Sequence, residues 1–114
     1  MKINGVELQD IDIFDVEVAE KYEKTMKKVE NIGKEVEGLT FSESIRTQCN
    51  AIFEVFNSLF GEGTDKKVFG NKANLVVCLK AFEELMLQIN EQKNEIEKMQ
   101  NKYSPNRASR RAKK

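Results

Sequence analysis

Three short groups of residues in this sequence could do chemistry, and each lacks the spacing that its chemistry needs. Residues 61–66 combine two glycines with a threonine and a lysine, but the G-x-x-x-x-G-K-[ST] spacing of a phosphate loop is absent. Residues 10–15 contain three aspartates without the glycine and terminal glutamate of a calcium loop. Glu83 and Glu84 are neighbours, and adjacent helix positions point apart. None of the three groups therefore predicts a site.

The remaining reactive residues favour a structural interpretation. Histidine is absent, which removes the commonest general base and the commonest zinc ligand. Cys49 and Cys78 lie in apolar helical patterns, where free cysteine is usually buried, so we expect core packing rather than a redox or disulfide role. We expect a protein that is not an enzyme and that uses no cofactor and no metal.

The charges are balanced overall but unevenly distributed. The chain has 19 basic and 19 acidic residues; residues 1–40 hold ten acids and six bases, whereas residues 102–114 hold six bases and no acid. Such a basic end is open to three interpretations: a flexible solubilising tail, an arm that binds a protein partner, or an arm that binds nucleic acid in a salt-dependent way. Its candidate partner-binding residues are Arg107, Arg110, Arg111, Lys113 and Lys114.

Apolar spacing predicts three helices that must position everything else, over residues 12–37, 42–60 and 74–103. The second begins with Thr40-Phe41-Ser42-Glu43, the S/T-x-x-E form of a capping box. We expect its buried stripe to be Ile45, Cys49, Ile52, Phe53, Phe56, Leu59 and Phe60, with Phe53 and Phe56 as the positions that tolerate substitution least. Asn4-Gly5 lies between short alternating segments and predicts a β-hairpin within residues 1–11. The predicted fold is mostly α: one small three-helix domain, residues 1–103, with a short N-terminal β-hairpin, a long C-terminal helix and a flexible basic tail at 104–114.

The third helix is the element around which we expect the chain to be organised. At about 1.5 Å per residue it is ~45 Å long, whereas a compact domain of this size is only about 34 Å across. Steps of four and three predict one apolar seam, interrupted at Lys93 and at the step of residues 99 and 100, through residues 75, 79, 82, 86, 89, 93, 96, 99 or 100, and 103. Residues 75–89 are apolar on nearly every side, and residues 90–103 keep only a narrow apolar line. The helix should extend past the body, with Ile96, Met99 and Tyr103 as candidate partner-binding residues.

The segment that joins the second and third helices is a second candidate surface. It contains three glycines, and residues 64–69 could form one helical turn that places Val68 and Phe69 on the core. Val68 and Phe69 are also candidate partner-binding residues, as part of the loop 61–70. The chain has no signal-peptide pattern and no stretch long and apolar enough to span a membrane, which predicts a cytoplasmic protein without membrane partners.

Several stretches together resemble the short tail assembly chaperone-like proteins of siphophages and prophages of low-GC Gram-positive bacteria. They are residues 1–8, Met-Lys-Ile-Asn-Gly-Val-Glu-Leu, with the acidic segment that leads to Glu20-Lys21-Tyr22-Glu23; residues 59–70, Leu59-Phe60-Gly61-Glu62-Gly63-Thr64 to Val68-Phe69-Gly70; and residues 106–112, Asn106-Arg-Ala-Ser-Arg-Arg-Ala. The resemblance implies a non-catalytic morphogenesis protein of the host cytoplasm. Such a protein coats the helical tape measure protein through helical surfaces and is absent from the finished tail.

Two other functions remain open from the sequence. A small nucleic-acid-binding or regulatory phage protein would use the basic C-terminal tail, and a structural head-tail component would stay in the virion. Self-association through the third helix is possible with any of them, since weak many-copy contacts suit a protein that coats a long partner.

Overall fold

The computed structural model describes residues 1–103, and the predicted basic tail at 104–114 lies outside the described residues. In chain order the elements are β1 (Lys2–Ile3), β2 (Val6–Glu7), α1 (Val16–Glu30), α2 (Ile32–Glu35), α3 (Phe41–Phe60), α4 (Thr64–Phe69) and α5 (Leu75–Tyr103). The mostly helical fold with an N-terminal hairpin and a long last helix is confirmed.

The hairpin turns at Asn4-Gly5, as predicted. Both residues have positive φ, 53° at Asn4 and 75° at Gly5, which is the backbone that a type I′ turn requires. The strands pair antiparallel with Ile3 opposite Val6, and Ile3 is fully buried. The hairpin and the segment after it, residues 1–13, form an N-terminal ribbon that lies on the helices.

The predicted helix of residues 12–37 is shorter and divided. Asp15 caps α1 by accepting a hydrogen bond from the Glu17 amide at 3.0 Å, whereas Asp12 accepts one from the Phe14 amide before the helix begins. At the other end the chain leaves α1 at Asn31 and continues as the separate α2. The amphipathic pattern extends over both helices, so periodicity alone did not reveal the break.

Helix α3 is the centre of the domain, because α1, α2, α4 and α5 all contact it. Its capping box is confirmed: the Glu43 amide donates to Thr40 Oγ1 at 3.3 Å, and the Thr40 amide donates to Glu43 Oε1 at 2.9 Å. Its core-facing stripe includes Val55, which the sequence analysis omitted. The buried residues of α3 are Cys49, Ile52, Val55, Phe56 and Leu59.

Helix α4 is the single helical turn predicted in the glycine-rich connection. It folds back onto α3, so that the Phe69 ring lies 5.1 Å from Phe53 and 5.5 Å from Phe56 between centroids. Gly63 precedes it with φ 89° and Gly70 ends it with φ 67°, both left-handed backbone positions that favour glycine.

Helix α5 holds the N-terminal ribbon through side chains spaced one turn apart. Gln88 donates to the Lys2 carbonyl at 3.0 Å, while Glu84 accepts from the Asn4 amide at 3.2 Å. Gln92 makes two bonds: it donates to the Ile11 carbonyl at 2.9 Å and accepts from the Ile13 amide at 3.0 Å. Residues 84, 88 and 92 thus form a polar row that fixes the ribbon in place.

The buried face of α5 differs from the predicted seam of residues 75, 79, 82, 86 and 89. The fully covered positions are Cys78, Ala81, Leu85 and Ile89, whereas Leu79 is 49% exposed. The first half of the helix is apolar nearly all round, so its sequence does not select one face. The ribbon selects it, because Ile3, Leu8, Ile11 and Ile13 join the same core cluster as α3 and α5.

The predicted extension of the last helix is present. The principal-axis extents of 54 × 32 × 23 Å describe a body with one long dimension. Every side chain from Glu97 to Asn101 is exposed. The end of α5 therefore projects from the body.

Candidate functional site

The projecting end of α5 carries the residues for which the sequence predicted partner binding. Ile96 is half-buried and Met99 is 54% exposed. Tyr103 is the last residue of the helix that the structure describes. Positions 96, 99 and 103 share one face by their spacing of three and four. We call residues 96–103 the α5 end; it presents an apolar line on an otherwise polar helix.

The body of the domain stops just before this line. Gln92 is the last α5 side chain that bonds to the ribbon, and Lys93 lies over the Tyr22 ring with its Nζ 5.1 Å from the centroid. The attraction between the Lys93 ammonium and the face of the Tyr22 ring explains why the apolar seam tolerates a lysine at this position. Beyond this contact α5 continues as a single helix.

Val68 and Phe69 lie on the core, as the sequence analysis predicted for the turn of residues 64–69. Val68 is 4% exposed, and Phe69, which is partly exposed, packs against the aromatic side chains of α3. The backbone carbonyl of Val68 also accepts a hydrogen bond from the Asn4 side chain at 2.8 Å. Burial leaves Val68 little surface for a partner, and the partner role that the sequence also predicted for Val68 and Phe69 stays a prediction.

The other predicted partner residues, Arg107, Arg110, Arg111, Lys113 and Lys114, lie outside the described residues.

The structure shows an apolar pocket that the sequence analysis did not identify. It holds about 80 Å³ between the end of α1, α2, α3 and the start of α5. Gln48 is its single polar lining residue; the others are Val29, Ile32, Ala51, Ile52, Leu79 and Phe82. The sequence carried one signal for this pocket: the start of α5 has more apolar residues than a single core can cover.

A wider groove adjoins this pocket and shares Ile32 and Ala51 with it. The groove holds about 320 Å³ and is lined in addition by Glu35, Glu54 and Lys28. Lys28 Nζ lies 3.1 Å from Glu54 Oε2, in an exposed ion pair. Two carboxylates against one ammonium make the groove acidic by one charge.

The two cysteines lie together in the core, as predicted. Both are free and fully buried, Cys49 on α3 and Cys78 on α5. Burial, as the larger cause, and the hydrogen bond with Cys49 together raise the pKa of the Cys78 thiol to about 12. A thiolate is the reactive form of cysteine, so this pair is arranged for packing and not for nucleophilic attack.

Residues of the three groups that the sequence analysis considered for chemistry make hydrogen bonds that hold the fold. Thr64 Oγ1 donates to the Gly61 carbonyl at 2.6 Å and closes the glycine turn. Asp12 and Asp15 accept bonds from nearby amides, and Glu84 holds the ribbon. Within residues 1–103, His, Cys, Asp and Glu side chains form no group of three that could hold a metal ion.

None of the helices described within residues 1–103 combines the length and the apolar character needed to cross a membrane.

Comparison with known proteins identifies one family. The chain matches neither a curated protein nor a solved structure. Residues 4–114 match the family of unknown function DUF6673. Because this match covers nearly the whole chain, the protein belongs to the family DUF6673.

Proposed function

We propose that this protein is a non-catalytic phage morphogenesis protein, a tail assembly chaperone that binds the tape measure protein in the host cytoplasm. The observation that carries the proposal is the α5 end, where a single helix leaves a completed core and exposes an apolar line. Helix surfaces with residues three and four apart are the usual means of binding an amphipathic helix. A tape measure is a long helical partner of this kind.

The small size of the α5 end suits many weak contacts better than one strong contact. It spans about two helical turns. Two turns of one helix bury far less surface than the ~800 Å² per partner of a standard stable interface. A long partner can bind many copies, and weak sites then act together through their high local concentration. The proposed chaperone would therefore coat its partner and still be released.

The direct test is co-expression with a tape measure protein, followed by pull-down and a solubility assay. Wild type should form a complex and keep the tape measure soluble. Met99→Asp places a charge on the apolar line and should reduce capture at least tenfold. Leu87→Asp is the matched control, because Leu87 is 56% exposed on the same helix but lies in the body. No complex with wild type, or equal loss in both variants, would contradict the proposal.

The basic composition of residues 102–114 favours one alternative, binding of nucleic acid. Neutralisation of phosphates by lysine and arginine gives affinity that falls steeply with salt. Gel shifts at increasing salt, with and without residues 106–114, separate the two functions. A salt-sensitive shift that requires the tail supports the alternative, and no shift at low salt rejects it. Mass spectrometry of purified virions tests the remaining option of a structural head-tail component.

A further inference from the structure

The apolar pocket and the α5 end form a possible pair of complementary surfaces. The pocket is a concave apolar site beside Leu79 and Phe82 at the start of α5, and Met99 is an exposed apolar side chain near the end of the same helix. Seventeen residues separate Phe82 from Met99, which is about 26 Å along a continuous helix. One molecule therefore cannot place its own Met99 in its own pocket.

Size restricts which exposed side chain could fill the pocket. An engineered cavity of about 150 Å³ in a protein core binds benzene, and this pocket, at about 80 Å³, is roughly half that size. The smaller volume favours an aliphatic side chain over the rings of the exposed Phe14 and Phe41. Methionine is unbranched and adapts readily to irregular gaps.

Access gives a second restriction. A side chain can enter a cleft between helices only if its own backbone can approach without collision of the two bodies. Leu87 is exposed but lies on the body, where the ribbon and the helices flank α5. Met99 lies on the projecting helix, with exposed residues on either side of it. Met99 therefore meets both conditions, whereas Leu87 fails the second.

The charges that accompany the two surfaces are also complementary. The groove beside the pocket is acidic by one charge, with Glu35 and Glu54 against Lys28. Residues 102–114, which follow Met99 in the sequence, contain six bases and no acid. Because this basic sequence is continuous with the α5 end, its net charge favours the approach of the α5 end to a copy with an acidic groove.

We propose that the α5 end of one copy docks into the apolar pocket of a second copy. The two surfaces differ and lie far apart on the molecule, so the contact is heterologous: the copy that inserts its α5 end keeps a free pocket, and the copy that receives it keeps a free α5 end. Repetition of such a contact gives an open chain unless the rotation closes a ring. The same α5 end is the proposed tape measure site, so a tape measure would compete with self-association.

Sedimentation velocity over a wide range of protein concentration tests the proposal. For wild type we expect an average mass that rises with concentration and passes the dimer. Met99→Asp and Ala51→Leu, which fills the pocket, should each remain monomeric, while Leu87→Asp should behave as wild type. A mixture of the Met99→Asp and Ala51→Leu proteins retains one intact pocket and one intact α5 end, so it should form heterodimers and stop there.

Several results would overturn the proposal. They are a wild type that stays monomeric, a wild type that stops at a dimer, a mixture that forms no heterodimer, or a Leu87→Asp variant that dissociates like Met99→Asp. If Ala51→Leu fails to fold by circular dichroism, Leu79→Asp replaces it as the pocket variant, because Leu79 is half-exposed. If the protein self-associates but does not capture a tape measure protein, only the proposed function is rejected. If a monomeric wild type captures a tape measure protein, only this inference is rejected.

Discussion

At the scale of single residues, Phe56 is the largest side chain that the core covers completely. Its ring lies 6.0 Å from Phe60 and 5.5 Å from Phe69 between centroids, and none of its surface is exposed. The sequence analysis predicted Phe53 and Phe56 as the least tolerant positions. Only Phe56 proves to be fully buried, whereas Phe53 is half-buried.

We predict that Phe56→Ala lowers the free energy of unfolding by about 3–5 kcal/mol, because it removes buried apolar surface and leaves a cavity. Urea denaturation followed by circular dichroism measures this loss. Phe41→Ala is the control, since Phe41 is 83% exposed and a surface change of this kind is expected to stay within about 0.5 kcal/mol. Similar losses in both variants would show that the core is not centred on Phe56.

A second prediction concerns the thiols. Cys78 has a pKa of about 12, so it stays protonated at neutral pH. We expect a thiol reagent at pH 8 to label neither cysteine in the folded protein and both in denaturant. Because the folded pKa is raised, this thiol stabilises the fold fully below its ordinary pKa of about 8.5, and the contribution is lost as pH rises towards 12. Fast labelling of the folded protein would contradict the arrangement.

At the scale of elements, the start of α3 depends on the capping box. Thr40→Ala removes one half of it and should cost about 1 kcal/mol. The bonds with Thr40, first to its backbone amide and then to its side chain, lower the pKa of Glu43. A lowered pKa means that this stabilisation is present above the ordinary glutamate value of about 4.3 and is lost as pH falls through the folded value.

Stability measured against pH tests this element. The stability of wild type relative to Glu43→Gln should fall as pH drops below about 4.3, the ordinary glutamate pKa. Glu43→Gln is the reference, because glutamine can complete a capping box but does not titrate. Thr40→Ala keeps the backbone amide that is the larger cause of the lowered pKa, so it should retain part of this pH dependence.

At the scale of the whole molecule, the polar row on α5 joins the first residues of the chain to the last helix. Gln92 bonds both the Ile11 carbonyl and the Ile13 amide across about eighty residues of sequence. Gln92→Ala leaves both backbone groups without this partner. We predict faster hydrogen exchange in residues 9–13 with unchanged protection in α3, measured by mass spectrometry. Gln100→Ala, on the exposed α5 end, should change neither segment.

The ribbon also explains why the last helix has two distinct halves. The buried face of α5 is covered by α3 on one side and by the ribbon on another, which places Cys78, Ala81, Leu85 and Ile89 in the inner part of the core. Past Gln92 and Lys93 neither neighbour continues, and α5 becomes a projecting helix. The division between a structural half and a half available to partners therefore follows from where the ribbon and α1 meet α5.

The sequence by itself determined those features that depend on local interactions. The Asn4-Gly5 turn requires left-handed backbone that these two residues adopt easily, and Thr40 and Glu43 cap a helix through bonds only three residues apart. The long continuous helix over residues 75–103 likewise follows from its composition. These signals lie within a few residues and need no tertiary context.

Only the tertiary structure decided which apolar residues are covered. Residues 75–89 are apolar on nearly all sides, so the face that becomes buried depends on the ribbon, which is some eighty residues away in sequence. The same long-range packing created the pocket beside Leu79. Burial depends on which elements meet in space, and periodicity along one element does not carry that information.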